Sequence, residues 1–334
     1  MTVTHGGDVW RGDSPEAFLD FSANLNPEGP PEWVRAAMAE GLERSRYYPD
    51  LQSAAARRGL AAHLGLDPAC VLPAAGGIEA ARLAASLPGR HVIAQPTFQE
   101  YGRLCGTHAD IPRDTLAEHA FAPGECLWLC NPNNPTGDAL PRAAVLSLLE
   151  KAEAAGARLV VDEAFIEYCP EHSVVDCAAA HPALIVLGSL TKVLAVPGLR
   201  LGYLAAHPSV IGALSEGLPP WRLNSLADAV AAALPWYRAD FDTIRRLNDL
   251  RRNAFAAALS PLARVYPSDA NFLLCDFGWD MRPQIEALKR RKVLVRPCGM
   301  FPGLTHGHVR LCVRTEAENA RLIQLLKGDG TCGF

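Results

Sequence analysis

Lys192 lies in a segment whose residue types could support covalent chemistry with an aldehyde. It follows the apolar run 183–187, within Gly-Ser-Leu-Thr-Lys at residues 188–192. A lysine at the end of a buried strand loses hydration, which lowers the pKa of its amine and favours Schiff-base formation. Ser189 and Arg200, nearby in the chain, could bind a dianionic phosphate, for which a guanidinium is a bidentate donor. For a lone lysine, simple exposure on the surface is the alternative.

The glycine pair Gly76-Gly77 is a second candidate for anion binding. It follows the apolar Val71-Leu72 and opens a helical pattern. The backbone amides of Gly77 and Ile78 would then point at an anion at the helix N-terminus. Neither residue offers a polar side chain, so a phosphate contact here must come from the backbone. A plain turn from loop to helix is the alternative.

Three more side chains follow apolar runs. Asn134 stands in Asn-Pro-Asn-Asn-Pro-Thr-Gly at 131–137, where two X-Pro steps restrict the backbone and fix the direction of its amide. Asp162 ends the run 158–161, and its carboxylate could keep a pyridine nitrogen protonated. A helix cap or an ion pair is the alternative for this residue. Phe98 could stack on an aromatic ring, although an isolated phenylalanine is more often part of the core.

The composition is that of a globular protein. The 334 residues, 49% of them hydrophobic, can bury a large core, and a net charge of −4 with scattered arginines offers no basic face to nucleic acid. No stretch approaches the roughly 18 apolar residues that span a bilayer. We therefore expect a soluble cytoplasmic protein without a nucleic-acid or membrane partner. The ten cysteines lack the spacing of a zinc site, so buried reduced thiols and no bound metal are expected.

Short apolar runs alternate with Ala- and Leu-rich helical stretches between residues 50 and 225. This alternation predicts an α/β fold with a mostly parallel sheet between helices and with ligands at the carboxyl ends of its strands. After residue 225, a long helical stretch broken at Pro235 precedes further strands and helices, which predicts a separate α+β unit. We expect an N-terminal arm and part of the small domain in 1–45, the large domain in 46–225 and the small C-terminal domain in 226–334.

Taken together, the order of these residues resembles the fold-type I pyridoxal-phosphate enzymes, and the resemblance covers nearly the whole chain. It implies a mostly parallel, seven-stranded sheet in the large domain and pyridoxal 5′-phosphate as cofactor. Lys192 would bind the cofactor covalently, Asp162 would contact its pyridinium nitrogen, and Asn134 its phenolic oxygen. Phe98 would cover one face of the ring.

The resemblance also implies how the cofactor phosphate is held. Its ligands would be two backbone amides and two side chains, from Gly77, Ile78, Ser189 and Arg200. Tyr48 matches a family tyrosine that reaches the phosphate across a subunit interface. A homodimer is therefore implied.

Within this superfamily, the chain looks most like the histidinol-phosphate aminotransferases and their relatives, the threonine-phosphate decarboxylases of cobalamin synthesis. The opening His5-Gly6-Gly7, the stretch Asp-Phe-Ser-Ala-Asn-Leu-Asn-Pro at 20–27 and the segment 189–203 are similar to the decarboxylases. Phe165 stands where the aminotransferases usually have a tyrosine whose hydroxyl contacts the cofactor. These features favour the decarboxylases.

Two arginines match positions where the family binds the anionic ends of its substrates. Arg296 and Arg310, with His5 and Asn26 from the N-terminal arm, suit a substrate with a carboxylate and a phosphate. Arg314 is either a further anion ligand or a solvated strand end. Cys298, next to this segment, is expected to be partly exposed, and no role is assigned to it.

The resemblance implies decarboxylation of L-threonine O-3-phosphate to (R)-1-aminopropan-2-ol O-phosphate, for the nucleotide loop of cobalamin. An aminotransferase acting on histidinol phosphate or an aromatic amino acid is the alternative, and Phe165 and His5-Gly6-Gly7 count against it. A non-catalytic module, such as the effector domain of a transcription regulator, would need a DNA-binding domain for which we see no room. It would also leave the substrate arginines unexplained.

Overall fold

The computed structural model describes residues 5–10 and 14–328. The strands are β1 Leu19–Asp20, β2 Val71–Ala74, β3 Arg90–Gln95, β4 His108–Pro112, β5 Glu125–Cys130, β6 Arg158–Asp162, β7 Leu184–Ser189, β8 Gly202–Ala206, β9 Arg264–Val265, β10 Phe272–Asp276, β11 Val293–Leu294, β12 Arg296–Pro297 and β13 His308–Cys312. The helices are α1 Glu32–Arg44, α2 Ala54–Leu64, α3 Gly77–Ala85, α4 Glu100–Cys105, α5 Arg142–Ala154, α6 Pro208–Ser215, α7 Ser225–Ala233, α8 Arg238–Leu259, α9 Arg282–Arg290 and α10 Glu316–Lys327.

Seven strands form the large sheet, in the order β2-β8-β7-β6-β5-β3-β4. Strand β8 pairs antiparallel with both of its neighbours, and the other pairs are parallel. Strands β5, β7 and β8 are buried along their whole length, because helices cover both faces of the sheet. The predicted mostly parallel, seven-stranded sheet is confirmed.

The two faces of this sheet pack into different hydrophobic clusters. In β6, Leu159 and Val161 join one cluster, while Val160 between them joins the other with Trp128 and Ile185. This follows from the two-residue period of side chains along a strand. Because both faces are apolar, polar side chains needed for chemistry can stand only at the strand ends.

A second unit follows the large sheet in the chain. Strands β12, β13, β10 and β9 form an antiparallel sheet in that order, and α8 and α10 pack with it around a separate cluster that includes Phe21, Phe255, Leu273 and Leu322. The N-terminal segment joins this unit through the parallel pairing of β1 with β11. The helical stretch is interrupted at Pro235, as predicted, since proline has no amide hydrogen to donate.

Some elements differ from the expected pattern. The sequence pattern did not indicate edge strand β4, whose exposed His, Asp and terminal Pro break the apolar run. The expected strand at 292–296 is two short strands, β11 and β12. Helices α1 and α7 pack against each other, and Trp33 and Val230 from them belong to a large-sheet cluster. The division of the chain at residues 45 and 225 stays a prediction.

The nine cysteines within the described ranges are all free thiols, as expected, and Cys332 lies outside those ranges. The expectation of partial exposure was wrong for Cys298. Its side chain is 0% exposed because it packs with Leu274 and Phe301, and burial raises its pKa to about 11. None of the helices that the structure describes is long and apolar enough to cross a bilayer. Among residues 5–10 and 14–328, no group of three or more His, Cys, Asp or Glu side chains could hold a metal ion.

Candidate active site

A cavity of about 590 Å³ lies at the carboxyl ends of β5, β6 and β7, between the large sheet, the small sheet and the N-terminal segment. This is where an open parallel sheet collects ligands. Most of the predicted site residues line it, namely His5, Gly77, Ile78, Phe98, Asn134, Asp162, Ser189, Lys192, Arg200, Arg296 and Arg310. Two predicted residues, Tyr48 and Asn26, do not.

Lys192 stands just beyond the end of β7, with its side chain in the cavity. Its Nζ atom donates a hydrogen bond to the carbonyl oxygen of Ala23 at 3.1 Å. Burial of the ammonium, with a smaller contribution from the nearby Arg310, lowers the pKa of Lys192 to about 8. At pH 7 about a tenth of the amine is then neutral, against about one in a few thousand for an ordinary lysine. The geometry suits a nucleophilic amine.

Asp162 ends β6 on the cavity floor. Its Oδ2 atom accepts a hydrogen bond from the Tyr101 hydroxyl at 2.5 Å, and Oδ1 accepts one from the amide of Ala164 at 2.9 Å. Burial raises the pKa of this carboxyl, although both hydrogen bonds act to lower it. Within the part of the chain that the structure describes, no Lys, Arg or His forms a salt bridge with Asp162. A buried carboxylate of this kind fits a cationic ring nitrogen as its missing partner.

The loop after β5 directs Asn134 into the cavity. Asn131 exchanges two hydrogen bonds with the backbone of Leu140, at 3.1 and 2.7 Å, and Asn133 donates to a hydroxyl in the same loop at 2.8 Å. These contacts fix the loop and leave Asn134 to face the site. Its Oδ1 atom accepts from Nη1 of Arg310. Since a guanidinium only donates, the amide orientation is set, and Nδ2 is the donor that Asn134 can offer to a ligand.

A glycine-built cradle lies at the start of α3. Gly76 has φ +86° and ψ 168°, a conformation open almost only to glycine. A Cβ atom on Gly76 would lie 2.9 Å from Cζ of Arg200, and one on Gly202 would lie 2.6 Å from the carbonyl carbon of Gly76. The glycines thus let the guanidinium and the β8 backbone approach the loop closely. The amides of Gly77 and Ile78 open the first turn of α3 here, as predicted.

Two hydroxyls complete this cradle. Ser189 and Thr191 are both buried, and their oxygen atoms are 2.9 Å apart. With the Arg200 guanidinium and the helix amides, they form a set of donors suited to a phosphate dianion. The residues present therefore fit the phosphate and the ring nitrogen of pyridoxal 5′-phosphate at two separate points.

Two buried arginines also line the cavity. Arg296 and Arg310 face each other across the pairing of β12 with β13, and their exposed fractions are 5% and 6%. Burial lowers the pKa of both, that of Arg310 to about 10. Nη2 of Arg310 donates to the carbonyl oxygen of Ser22 at 2.7 Å, and the Arg296 guanidinium lies 5.7 Å from the ring centre of Phe301. Two guanidiniums held this way suit an anionic ligand.

The N-terminal segment closes one side of the cavity. Nε2 of His5 lies 3.0 Å from Oε1 of Glu100, at the start of α4. The amide of Gly7 donates to Oγ of Ser22 at 2.8 Å. A Cβ atom on Gly6 would lie 2.7 Å from the carbonyl carbon of Ser22, so the two backbones are close. The placement of His5 at the cavity agrees with the predicted anion-binding role, which stays a prediction.

The expected substrate contact of Asn26 is corrected by the structure. Its Nδ2 atom donates to the carbonyl oxygen of Val193 at 3.2 Å, and its backbone amide donates to the carbonyl oxygen of Lys192 at 3.1 Å. Asn26 therefore supports the segment that carries Lys192, outside the cavity. Asn24 lines the cavity instead, and its φ of +53° marks the turn that separates the two asparagines.

Tyr48 and Arg314 also lie outside the cavity of their own chain. Tyr48 is 82% exposed, with its ring 4.8 Å from that of Trp221. Its expected contact with the phosphate of a second subunit stays a prediction. Arg314 donates to the carbonyl oxygen of Asp20 at 3.1 Å and pairs with Glu318 at 2.7 Å. These contacts give Arg314 a structural role, which is neither the anion ligand nor the solvated strand end considered above.

Tyr101 and Thr191 are site residues that the sequence reasoning missed. Tyr101 follows Phe98 by three residues, a spacing that brings side chains together in a helical turn. Their rings meet edge to face, with centres 5.5 Å apart. Thr191 stands directly before Lys192. Its hydroxyl, so close to the predicted site lysine, could have identified it as a site residue.

The fold is that of the fold-type I pyridoxal-phosphate enzymes. Residues 16–326 match the family model of aminotransferase class I and II, and the chain belongs to this family, whose members depend on pyridoxal 5′-phosphate. A threonine-phosphate decarboxylase from Salmonella typhimurium is 34% identical over 97% of this chain and 95% of that protein. A histidinol-phosphate aminotransferase from Symbiobacterium thermophilum is 33% identical over 97% and 94%.

Among solved structures, the chain is similar to the L-threonine-O-3-phosphate decarboxylase from Porphyromonas gingivalis. The TM-score is 0.84 at 26% identity, and the match covers 92% of this chain and 98% of that one. A histidinol-phosphate aminotransferase from Clostridium acetobutylicum has the same fold, with a TM-score of 0.83 at 24% identity over 92% of this chain and 98% of that one.

Proposed function

We propose that this protein is a pyridoxal 5′-phosphate-dependent decarboxylase that converts L-threonine O-3-phosphate to (R)-1-aminopropan-2-ol O-phosphate in cobalamin synthesis. The observation that carries the proposal is the pair of buried guanidiniums, Arg296 and Arg310, which line the same cavity as the phosphate cradle. A ligand with two anionic ends matches two cationic groups that are already desolvated. The 34% identity to a threonine-phosphate decarboxylase supports this choice of substrate.

The proposed cofactor site uses residues that line the cavity. Lys192 would hold the aldehyde carbon, Asp162 the ring nitrogen and Asn134 the phenolic oxygen, with Phe98 against the ring. The phosphate would lie among the amides of Gly77 and Ile78 and the side chains of Ser189 and Arg200. When bound, pyridoxal 5′-phosphate supplies an electron sink for the electrons left as carbon dioxide departs.

The protein side chains have separate tasks in this reaction. Arg310 is held by Asn134 and by the backbone of Ser22, so it can bind an anionic end of the substrate in one fixed orientation. Reaction type depends on such orientation, because the bond that breaks must stand perpendicular to the conjugated ring system. Lys192 would hold the cofactor until the substrate amine takes its place, and Nζ, which would gain a proton from that amine, would then return it at the α-carbon. A pKa of about 8 lets this group gain and give a proton near neutral pH.

Phe165, three residues after the end of β6, is also consistent with a decarboxylase. Phe165 lines the cavity and is buried, with its ring edge to face with Phe272 at 5.0 Å. It brings no hydroxyl to the site, so Asn134 is the neutral donor proposed for the phenolic oxygen. By resemblance, a tyrosine at this position is usual in the aminotransferases.

An aminotransferase of the histidinol-phosphate or aromatic type is the second candidate. The 33% identity to a histidinol-phosphate aminotransferase over nearly the whole chain favours it. The two candidates share the cofactor site and differ in the bond that breaks. In either case we propose a homodimer in which Tyr48 reaches the phosphate of the other subunit, and a cytoplasmic location.

Parallel assays distinguish the two functions. The purified, cofactor-loaded protein is given L-threonine O-3-phosphate in one assay, and histidinol phosphate with 2-oxoglutarate in the other. We expect carbon dioxide from the first and no glutamate from the second, with Lys192→Ala inactive. Glutamate from the second assay alone would overturn the decarboxylase and establish the aminotransferase.

A further inference from the structure

The hydroxyl of Tyr101 makes the shortest contact of the Asp162 carboxylate, and no role has been assigned to it so far. Tyr101 lies in the first turn of α4 and is 0% exposed. Its oxygen is 2.5 Å from Oδ2 of Asp162. Burial, and then the nearby Asp162 charge, raise the pKa of Tyr101 well above its ordinary value, so the phenol keeps its proton and acts as the donor.

Packing fixes this hydroxyl in place. The Tyr101 ring lies 5.2 Å from that of Trp128 in the sheet and 5.5 Å edge to face with Phe98 in the cavity wall. Close packing on two sides restricts the motion of a buried aromatic ring. The hydrogen bond to Asp162 is therefore a preorganised part of the site.

We propose that Tyr101 is a positioning residue that keeps Asp162 ionised and thereby leaves the proton on the ring nitrogen of the bound cofactor. The inference rests on the cofactor part of the proposed function and is independent of which reaction follows. In a buried pair, a carboxylate and a ring nitrogen compete for one proton, and desolvation favours the neutral arrangement with the proton on the carboxylate. A hydrogen bond donated to the carboxylate stabilises its charged form more than its neutral form, so it opposes that transfer.

The effect is measured at the ring nitrogen itself. The protein is loaded with pyridoxal 5′-phosphate labelled with ¹⁵N in the ring, and the nitrogen chemical shift is compared between the wild type and Tyr101→Phe at one pH. A hydrogen bond to a charged group corresponds to about a ten- to hundredfold change in such an equilibrium. We expect the ratio of protonated to unprotonated nitrogen to fall by about that factor in Tyr101→Phe. A nitrogen shift that stays at the wild-type value would overturn the proposal.

Tyr168→Phe is the matched control. Tyr168 is as deeply buried as Tyr101, but its hydroxyl does not contact Asp162. This variant should keep the wild-type nitrogen shift, because it loses the same atom elsewhere in the core. An equal change in both variants would mean that loss of any buried hydroxyl perturbs the site, and would overturn a specific role for Tyr101.

A second variant covers the case in which Tyr101→Phe does not fold. Replacing Tyr101 with 3,5-difluorotyrosine keeps the ring and makes the hydroxyl a stronger donor, so the protonated fraction should rise above the wild-type value. A fall or no change would contradict the proposal. Borohydride trapping followed by mass spectrometry tests the underlying placement separately: absence of cofactor on Lys192 would overturn the cofactor site, and with it this inference.

Discussion

Replacing Gly76 with alanine tests whether the start of α3 is a phosphate cradle. The new Cβ atom would lie 2.9 Å from Cζ of Arg200, closer than such atoms approach, so the guanidinium must move. If Arg200 binds the cofactor phosphate, losing its charge-assisted hydrogen bond costs about 1.5–3 kcal/mol, which weakens cofactor binding by about 10- to 150-fold. The backbone at φ +86° and ψ 168° adds strain of about 1–3 kcal/mol, which lowers the stability of the cofactor-free protein.

Gly65→Ala separates these two effects. Gly65 also has a positive φ, +71°, but a Cβ atom there has no neighbour within 4 Å. We expect this control to lose about 1–2 kcal/mol of stability, with unchanged cofactor affinity. Cofactor dissociation constants come from titration of the cofactor-free proteins followed by absorbance, and stabilities from urea unfolding. If Gly76→Ala bound the cofactor as tightly as the wild type, the assignment of Arg200 to the phosphate would be refuted.

Three further predictions concern charged groups of the cavity. Arg310→Lys keeps the charge but loses the bidentate fork, so kcat/KM for the phosphorylated substrate should fall by about 10- to 100-fold in steady-state kinetics, while the exposed Arg282→Lys should match the wild type. The folded-state pKa of Lys192, about 8, lies below the unfolded value of about 10.4. At pH values between these two, the unfolded state therefore binds more protons than the folded state. Urea unfolding of the cofactor-free protein should therefore show stability that rises with pH across that window relative to Lys192→Met, and parallel pH profiles for the two proteins would refute this. Glu100→Gln weakens the placement of the half-exposed His5, so KM should rise by no more than about fivefold with kcat unchanged; a fall in kcat alone would count against this role.

The sequence predicts the large sheet well because each of its buried strands is marked by a pattern in neighbouring residues. Continuous apolar runs mark strands buried on both faces, and the polar residue that ends each run, such as Asp162 after β6, is placed by the strand itself. Lys192 and Asn134 could be assigned to one cavity for the same reason. The edge strand β4 lacks this signal, since one of its faces meets solvent and its burial is only partial.

Contacts between distant segments could not be read in this way. The sequence does not show that Asn24 lines the cavity while Asn26 bonds to the backbone of Val193, a residue distant in the chain. The burial of Cys298 depends in part on Leu274, which packs on it from strand β10. The hydrogen bond from Tyr101 to Asp162 joins two residues that are 61 positions apart in the chain. Each of these depends on tertiary packing, which no local pattern specifies.

We propose that this protein breaks the bond between the α-carbon and the carboxylate of a phosphorylated amino acid. L-threonine O-3-phosphate labelled with ¹³C in its carboxylate, incubated with the cofactor-loaded protein and 2-oxoglutarate, tests it in one NMR measurement. We expect the label to appear as bicarbonate, with no glutamate formed and no reaction in Lys192→Ala. Retention of the label in a 2-oxo acid, with glutamate formed in equal amount, would contradict the claim.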